Sequence, residues 1–209
     1  MILFRALAVG LLGLVLTGCG GFLGEVARPL DAYELRAPTD MPQAGRTLGR
    51  SLVIDMPETT GGLGTDRIMI RPTPLEALYL PRARWTDEAQ VMLRALMLRS
   101  FEDTNALRHV GRRALPGGFS DFTLVSELTD FQAELRPDDD SVITRVRMTA
   151  RLVRDEDGAV LASRTFQTTA PAEDDETLSI VTALNSATQE MLREMVPWAL
   201  GRMGVQVGS

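Results

Sequence analysis

The 209-residue chain has one cysteine, one histidine and only 5% aromatic residues. One thiol excludes an internal disulfide and a cysteine-pair metal site, so the fold must rest on core burial. One histidine, His109, excludes a two-histidine metal motif, and no Gly-x-Ser-x-Gly segment is present to carry a nucleophile. A catalytic histidine needs a nucleophile or carboxylate aimed at it; His109 stands beside Arg108 and Arg112 on a predicted short strand and reads as a surface residue. The scarcity of aromatics argues against a carbohydrate-stacking cleft. A basic excess is also missing: the formal net charge is −6, which disfavours nucleic acid and broad adhesion to anionic lipid. Carboxylates are plentiful, but they sit in turns and helix starts, where capping and solubility explain them. No catalysis, cofactor or metal is expected.

What is present begins at the N-terminus. Arg5 precedes an apolar run from Ala6 to Leu16, shorter than the roughly 20 residues a transmembrane helix needs and matched to the core of an export signal. Thr17 and Gly18 then lead into Cys19. This small-small-Cys ending resembles the bacterial lipobox, which implies a signal peptide over 1–18, cleavage before Cys19, and lipid on both its thiol and its new amino group. Several acyl chains would hold the protein on a membrane throughout its life. Gly20 follows Cys19 in place of the aspartate that would resemble an inner-membrane retention mark, so the outer membrane, periplasmic face, is the expected location. Loss of Arg5 with the signal takes the charge from −6 to −7. Residues 19–31, with Gly20, Gly21 and Gly24, read as a lipidated flexible tether. Residues 32–209 read as one domain, since a chain of about 190 residues can bury roughly 70% of its unfolded surface.

Along that domain, Tyr33-Glu34-Leu35 reads as an extended piece, and Thr47–Asp55 as a strand with Leu48, Leu52 and Ile54 facing one side. The glycines at 61, 62 and 64 belong to a mobile loop: a phosphate cradle needs a helix after it, whereas Asp66–Arg71 alternates like a strand. A short strand over Ala77–Leu80 and a segment Arg82–Trp85 follow. Helix is predicted from Thr86, as N-cap, to about Asp103, with Ala89, Met92, Leu93, Leu96, Met97 and Phe101 inward. After a short strand over Leu107–Arg112 come hairpins: Phe122–Leu135, Val142–Arg154 and Val160–Thr169. On the second, Val142, Val146, Met148, Ala150 and Leu152 share one face and Arg145, Arg147 and Arg151 the other. The acidic links Pro137–Asp140 and Asp155–Gly158 read as solvated turns, because neither has the spacing of a calcium loop. A second helix is expected from about Asp175 to Leu200, burying Leu178, Val181, Leu184, Met191, Leu192, Met195 and Trp198, with Pro197 weakening its last turn. The tail from Gly201 to Ser209 is expected to order only against a neighbour. The order of elements predicts an α+β fold, an antiparallel sheet covered on one face by two amphipathic helices.

The lipobox, Tyr33-x-Leu35, Leu63-Gly64-Thr65-Asp66-Arg67-Ile68 and Ala83-Arg84-Trp85 before a helix occur in an order that resembles the ABC-type transport auxiliary lipoproteins, the PqiC-type components associated with mammalian cell entry (MCE) lipid-transport systems. The resemblance runs from Tyr33 into the last helix. It implies a non-catalytic outer-membrane lipoprotein that serves an ABC-type phospholipid transporter and docks its periplasm-spanning MCE protein. Asp66, Arg67, Arg84 and Trp85 are candidates for a docking or oligomer surface; the alternative is that Trp85 packs internally while Asp66 and Arg67 support a loop. The arginine-lined strand face, Arg145, Arg147 and Arg151, is a second candidate, and a homo-oligomer such as a ring is expected because neighbours tethered on one membrane meet at high effective concentration. Two other readings stay open: an envelope assembly factor that binds a protein without moving lipid, and a lipid-binding carrier with its own apolar cavity.

Overall fold

A computed structural model describes residues 29–136 and 141–205. The expected signal peptide, Cys19, most of the tether and the Pro137–Asp140 turn lie outside the described residues. The chain divides at Leu30 into an N-terminal unit and a compact unit from Asp31 onward, and every element below belongs to the latter. In chain order these are β1 Asp31–Tyr33, β2 Leu48–Ile54, β3 Glu58–Thr59, a 3₁₀ turn Gly61–Leu63, β4 Arg67–Arg71, β5 Leu78–Trp85, α1 Ala89–Glu102, β6 Leu107–Gly111, β7 Phe122–Arg136, β8 Ser141–Arg154, β9 Ala159–Pro171 and α2 Thr177–Arg202.

The organising element is β7, fifteen residues long. Phe122, Leu124, Ser126 and Leu128 point inward; then the ladder to β8 slips between Leu128 and Asp130, and Phe131 and Ala133 take over the inward positions. One extra residue at Thr129 forms a bulge, which keeps apolar side chains on the core face past the slip. On one edge β7 pairs antiparallel with β8, and β8 with β9. Its other edge carries three short parallel strands in succession: β2 at Phe122–Leu124, β3 at Glu127–Leu128 and β4 at Gln132–Glu134. Beyond them β6 lies parallel to β2, β5 antiparallel to β4, and β1 parallel to β5.

The α+β class is therefore observed, but the expected wholly antiparallel sheet is corrected to a mixed one. Only the β7–β8–β9 meander and the β4–β5 pair are antiparallel. The expected loop after Pro57 contains the short strand β3, and the two pieces expected over Ala77–Leu80 and Arg82–Trp85 are one strand, β5.

On β8 every second residue from Val142 to Leu152 is buried. Helix α2 packs on β7, β8 and β9, while α1 packs on β2, β6 and α2. Thr168 Oγ1 donates to the Ala187 carbonyl at 2.8 Å, Phe166 meets Trp198 edge to face at 5.4 Å, and Arg164 pairs with Glu194 at 2.8 Å, fixing α2 on β9. The strap after β1 crosses α2: Arg36 N–H donates to Asn185 and Arg193 pairs with Asp40.

Three helix details depart from expectation. Helix α1 begins at Ala89 with Glu88 in the cap position and no side-chain cap; Thr86 instead donates its N–H to the Tyr33 carbonyl, prolonging the contact between β5 and β1. Leu178 is 65% exposed. It lies on the row Leu178–Thr182–Ser186, whereas the buried stripe starts at Ile180 and runs through Leu184, Ala187 and Met191. The expected tail packs without a neighbour as far as Val205, and its residues 206–209 lie outside the described residues. Gly204 turns at φ +82, Val205 N–H reaches the Leu200 carbonyl, and Met203 and Val205 are buried, a glycine-terminated helix end sealed by an apolar contact.

Candidate interaction surface

Two regions hold the residues singled out from the sequence. The first is the corner where β1, β4 and β5 meet. Tyr33 lies opposite Trp85 and Arg67 opposite Arg84 across the ladders. Trp85 N–H donates to the Asp66 carbonyl at 2.7 Å, and Asp66 pairs with Arg84 at 3.4 Å. Arg67 lies over the Tyr79 ring at 5.5 Å, and the Tyr79 hydroxyl donates to the Gly62 carbonyl. Leu63 and Ile68 are buried alongside.

The segments around Tyr33, Leu63–Ile68 and Ala83–Trp85, separate in sequence, thus meet in space and build one junction. Trp85 is 1% exposed and stacks on Phe131 at 5.5 Å; it is a core residue, and as a docking candidate it is corrected. Asp66, Arg67 and Arg84 remain half-buried at the rim.

The second region is the outward face of the β7–β8–β9 meander. Along β8, Arg145, Arg147 and Arg151 project there, between Gln132, Asp130 and Val125 of β7 and Thr169, Gln167 and Ser163 of β9. Arg145 donates through two nitrogens to both oxygens of Glu134, at 2.8 and 2.9 Å. The Arg145 hydrogen bonds outweigh partial burial and, with help from Gln132, hold the Glu134 carboxyl below its ordinary pKa; the same contact raises that of Arg145. Gln132, only 2% exposed, carried no signal in the sequence: its carboxamide donates to Asp130 and Glu134 and accepts from the Phe131 N–H. Arg147 and Arg151 are exposed, without an ion pair among the described residues. The face combines a rigid pair at Arg145–Glu134 with two free guanidinium groups.

A third feature joins the elements and had no motif. Asp121, at the start of β7, accepts from the Ser51 N–H and hydroxyl at 2.8 Å each and from Arg50 at 2.7 Å. Burial alone would raise its pKa, but the Arg50 and Ser51 hydrogen bonds prevail and hold it below the ordinary value. The cleft beside it, about 850 Å³, is lined by Arg50, Arg154, Arg202, Asp155 and Glu156 together with Phe119, Phe122 and Leu161, a wall that mixes charged and apolar side chains. His109 Nε2 lies 3.2 Å from the Arg113 carbonyl. Among the described residues no His/Cys/Asp/Glu group could hold a metal ion, and no helix is long and apolar enough to cross a membrane.

A mixed sheet, two helices and a junction in which half-buried Tyr33 meets the buried Leu63 and Trp85 define a structural class whose distinguishing segments form a corner of the fold. The family follows: residues 33–196 match the model of the ABC-type transport auxiliary lipoprotein component, and the chain belongs to that family. The expected resemblance is thereby shown at family level. Among solved structures, protein XCC0632 from Xanthomonas campestris, of the DUF330 family, is 25% identical with a TM-score of 0.71, over 84% of this chain and 96% of that one. The hypothetical protein CT253 from Chlamydia trachomatis shares the fold at 11% identity and a TM-score of 0.51, over 74% and 98%. The uncharacterized protein bll6063 of Bradyrhizobium diazoefficiens is 28% identical over 171 residues, 80% of this chain. The chain spans 44% of the length of that curated relative.

Proposed function

We propose that this chain is a non-catalytic outer-membrane lipoprotein, acylated at Cys19, that serves an MCE-type ABC phospholipid transporter by docking its periplasm-spanning MCE protein. Membership of the auxiliary lipoprotein family over residues 33–196 carries this reading. The lipobox-like Leu16-Thr17-Gly18-Cys19 and the Gly20 that follows support the anchor and its sorting. The outward β8 face supports the docking role: Arg147 and Arg151 are exposed, unpaired among the described residues, and mounted on the middle strand of a three-stranded meander, so they are positioned rigidly and can meet acidic groups of a partner. Arg145, tied to Glu134, orients that face, and Asp66, Arg67 and Arg84 offer a second, smaller contact. Self-association on the membrane would multiply such contacts into a homo-oligomer.

The test is copurification from detergent-solubilised envelopes. The tagged, acylated chain should bring down an MCE-domain protein, and Arg147→Glu with Arg151→Glu should reduce that recovery about tenfold or more, since each charge reversal costs on the order of 1 kcal/mol or more at a complementary rim. Full recovery with the doubly reversed chain would remove this face from the docking role.

A further inference from the structure

The segment between β6 and β7 combines apolar exposure with positive charge. Leu115, Pro116, Gly117 and Gly118 form a tight turn: Gly117 adopts φ +74 and the Gly118 N–H donates to the Leu115 carbonyl at 3.0 Å. Proline and glycine in the two central positions suit a type II turn. The base of the segment is also fixed, because His109 faces the Arg113 carbonyl, and Gly111 leaves the ring its room: a Cβ there would lie 2.6 Å from Nε2. This held segment projects Phe119, 98% exposed, and Leu115, 51% exposed. A single exposed apolar side chain is ordinary; a fully exposed phenylalanine beside a turn built to present a leucine is a different matter.

The charge around it runs against that of the molecule. Residues 107–120 contain Arg108, Arg112 and Arg113 and no carboxylate, within a chain of net charge −6. All three arginines are exposed, and none has an ion-pair partner among the described residues. On the cleft side, Phe119 faces Arg50, Arg154 and Arg202 as well as Asp121, Asp155 and Glu156; Arg50 is already held by Asp121 and Arg154 by Asp157. Asp155 accepts from the Ser120 and Thr123 hydroxyls. Those hydroxyls leave the Asp155 charge in place, so the groups without an ion pair among the described residues are Arg108, Arg112, Arg113 and Arg202 against Asp155 and Glu156; Arg112 also shares a cleft with Glu34 and Asp87, and the balance at the segment stays positive. The chain has no lysine, so every permanently cationic side chain is arginine, whose planar fork binds phosphate in two places at once.

We infer that the Arg108–Ser120 segment is a second membrane contact, seating Phe119 and Leu115 at the boundary between headgroups and acyl chains of an anionic phospholipid leaflet while Arg108, Arg112 and Arg113 bind lipid phosphates. Apolar side chains flanked by guanidinium groups match that interface in both polarity and charge. The inference rests on the lipid-anchored reading and adds to it: twelve peptide steps separate Cys19 from Asp31, a span of at most about 40 Å, and a second contact would fix which side of the domain meets the leaflet.

The acylated chain carrying Phe119→Trp, reconstituted into phosphatidylethanolamine–phosphatidylglycerol vesicles, tests this by quenching with lipids brominated near the headgroup. The parent chain supplies the Trp85 and Trp198 background. Co-flotation with the vesicles reports the anchor separately, so a chain that fails to float refutes the lipoprotein reading, whereas a floating chain with an unquenched residue 119 refutes the membrane contact. The expected result is quenching at residue 119 that weakens in phosphatidylcholine and at high salt. In Arg112→Glu with Arg113→Glu, the inserted fraction should fall about fivefold or more per arginine; circular dichroism of these surface variants checks that the fold is retained. Shielding of residue 119 that follows protein density in the vesicles, rather than lipid charge, would assign the segment to a second copy and overturn the proposal.

Discussion

Replacing Trp85 by alanine separates a core role from a docking role. The side chain is 1% exposed, stacks on Phe131 at 5.5 Å, and ends the strand that joins β1 to β4. Truncating a buried large aromatic costs roughly 3–5 kcal/mol through lost burial and a residual cavity, and loss of the ring pair accounts for roughly 0.5–1.5 kcal/mol of such a change. With a urea slope of about 2 kcal/mol/M for a domain of this size, the midpoint should fall by roughly 2 M. The assay is urea unfolding followed by circular dichroism on protein beginning at Gly20, whose parent should unfold cooperatively without metal or reductant-sensitive bonds. Trp85→Phe, which keeps a ring against Phe131, should recover about half of the loss. A midpoint shift below about 0.5 M for Trp85→Ala would refute the core assignment and return Trp85 to the surface candidates.

Three further outcomes are expected. Asp121→Ala should destabilise by about 1–3 kcal/mol, because it strands the buried Ser51 N–H, whereas Arg50, 56% exposed, is rehydrated. The native carboxyl lies below its ordinary pKa, so in acid the unfolded state binds more protons; its contribution is complete above about pH 4 and fades as pH falls below that. The acid limb of the stability curve should therefore be shallower in Asp121→Ala, and equal slopes would refute the linkage. Gly158→Ala should cost about 1 kcal/mol from its φ of +69 alone, as no atom lies within 4 Å of the added Cβ; a calorimetric scan showing no loss of thermal stability would contradict this. Intact mass of the detergent-extracted protein should show cleavage before Cys19 plus acyl mass, and fatty-acid labelling that persists in Cys19→Ala would refute acylation there.

The legible parts of the fold were those with a local period. Val142 to Leu152 alternate without a break, and the strand they predict is present with the arginines outward. Stripes on the two helices were legible too, apart from Leu178: a leucine two residues before Ile180 fits an apolar count equally well, and only the packing on β9 decides which face turns inward. The parallel pairing of β2, β3 and β4 with β7 left no local mark, since Leu52 and Phe122, or Ile70 and Ala133, are some sixty to seventy residues apart in sequence. The same distance hid the Ser51–Asp121–Arg50 link, which needs ordinary residue types in ordinary numbers.

For the candidate surface, charge alternation identified the β8 arginines, but which of them are free depended on Glu134, eleven residues from Arg145 across the ladder. Phe119 gave no signal because a glycine-rich turn reads as a connector whether or not it carries a contact. Trp85 was ambiguous for a physical reason. An aromatic residue between a polar strand end and a helix suits an interface as well as a core, and the pairing of β5 with both β1 and β4 buries it.

The claim that most needs a direct measurement is the docking of an MCE protein by the outward β8 face. The chain has no lysine, so amine-reactive reagents have no side chain to label, and a photoreactive amino acid at position 147 in intact envelopes is the suitable probe. Crosslinks to an MCE-domain protein are expected, with a second set between copies of this chain. A chain that crosslinks to no MCE component, stays monomeric and releases stoichiometric phospholipid on denaturation would contradict it and establish a carrier instead.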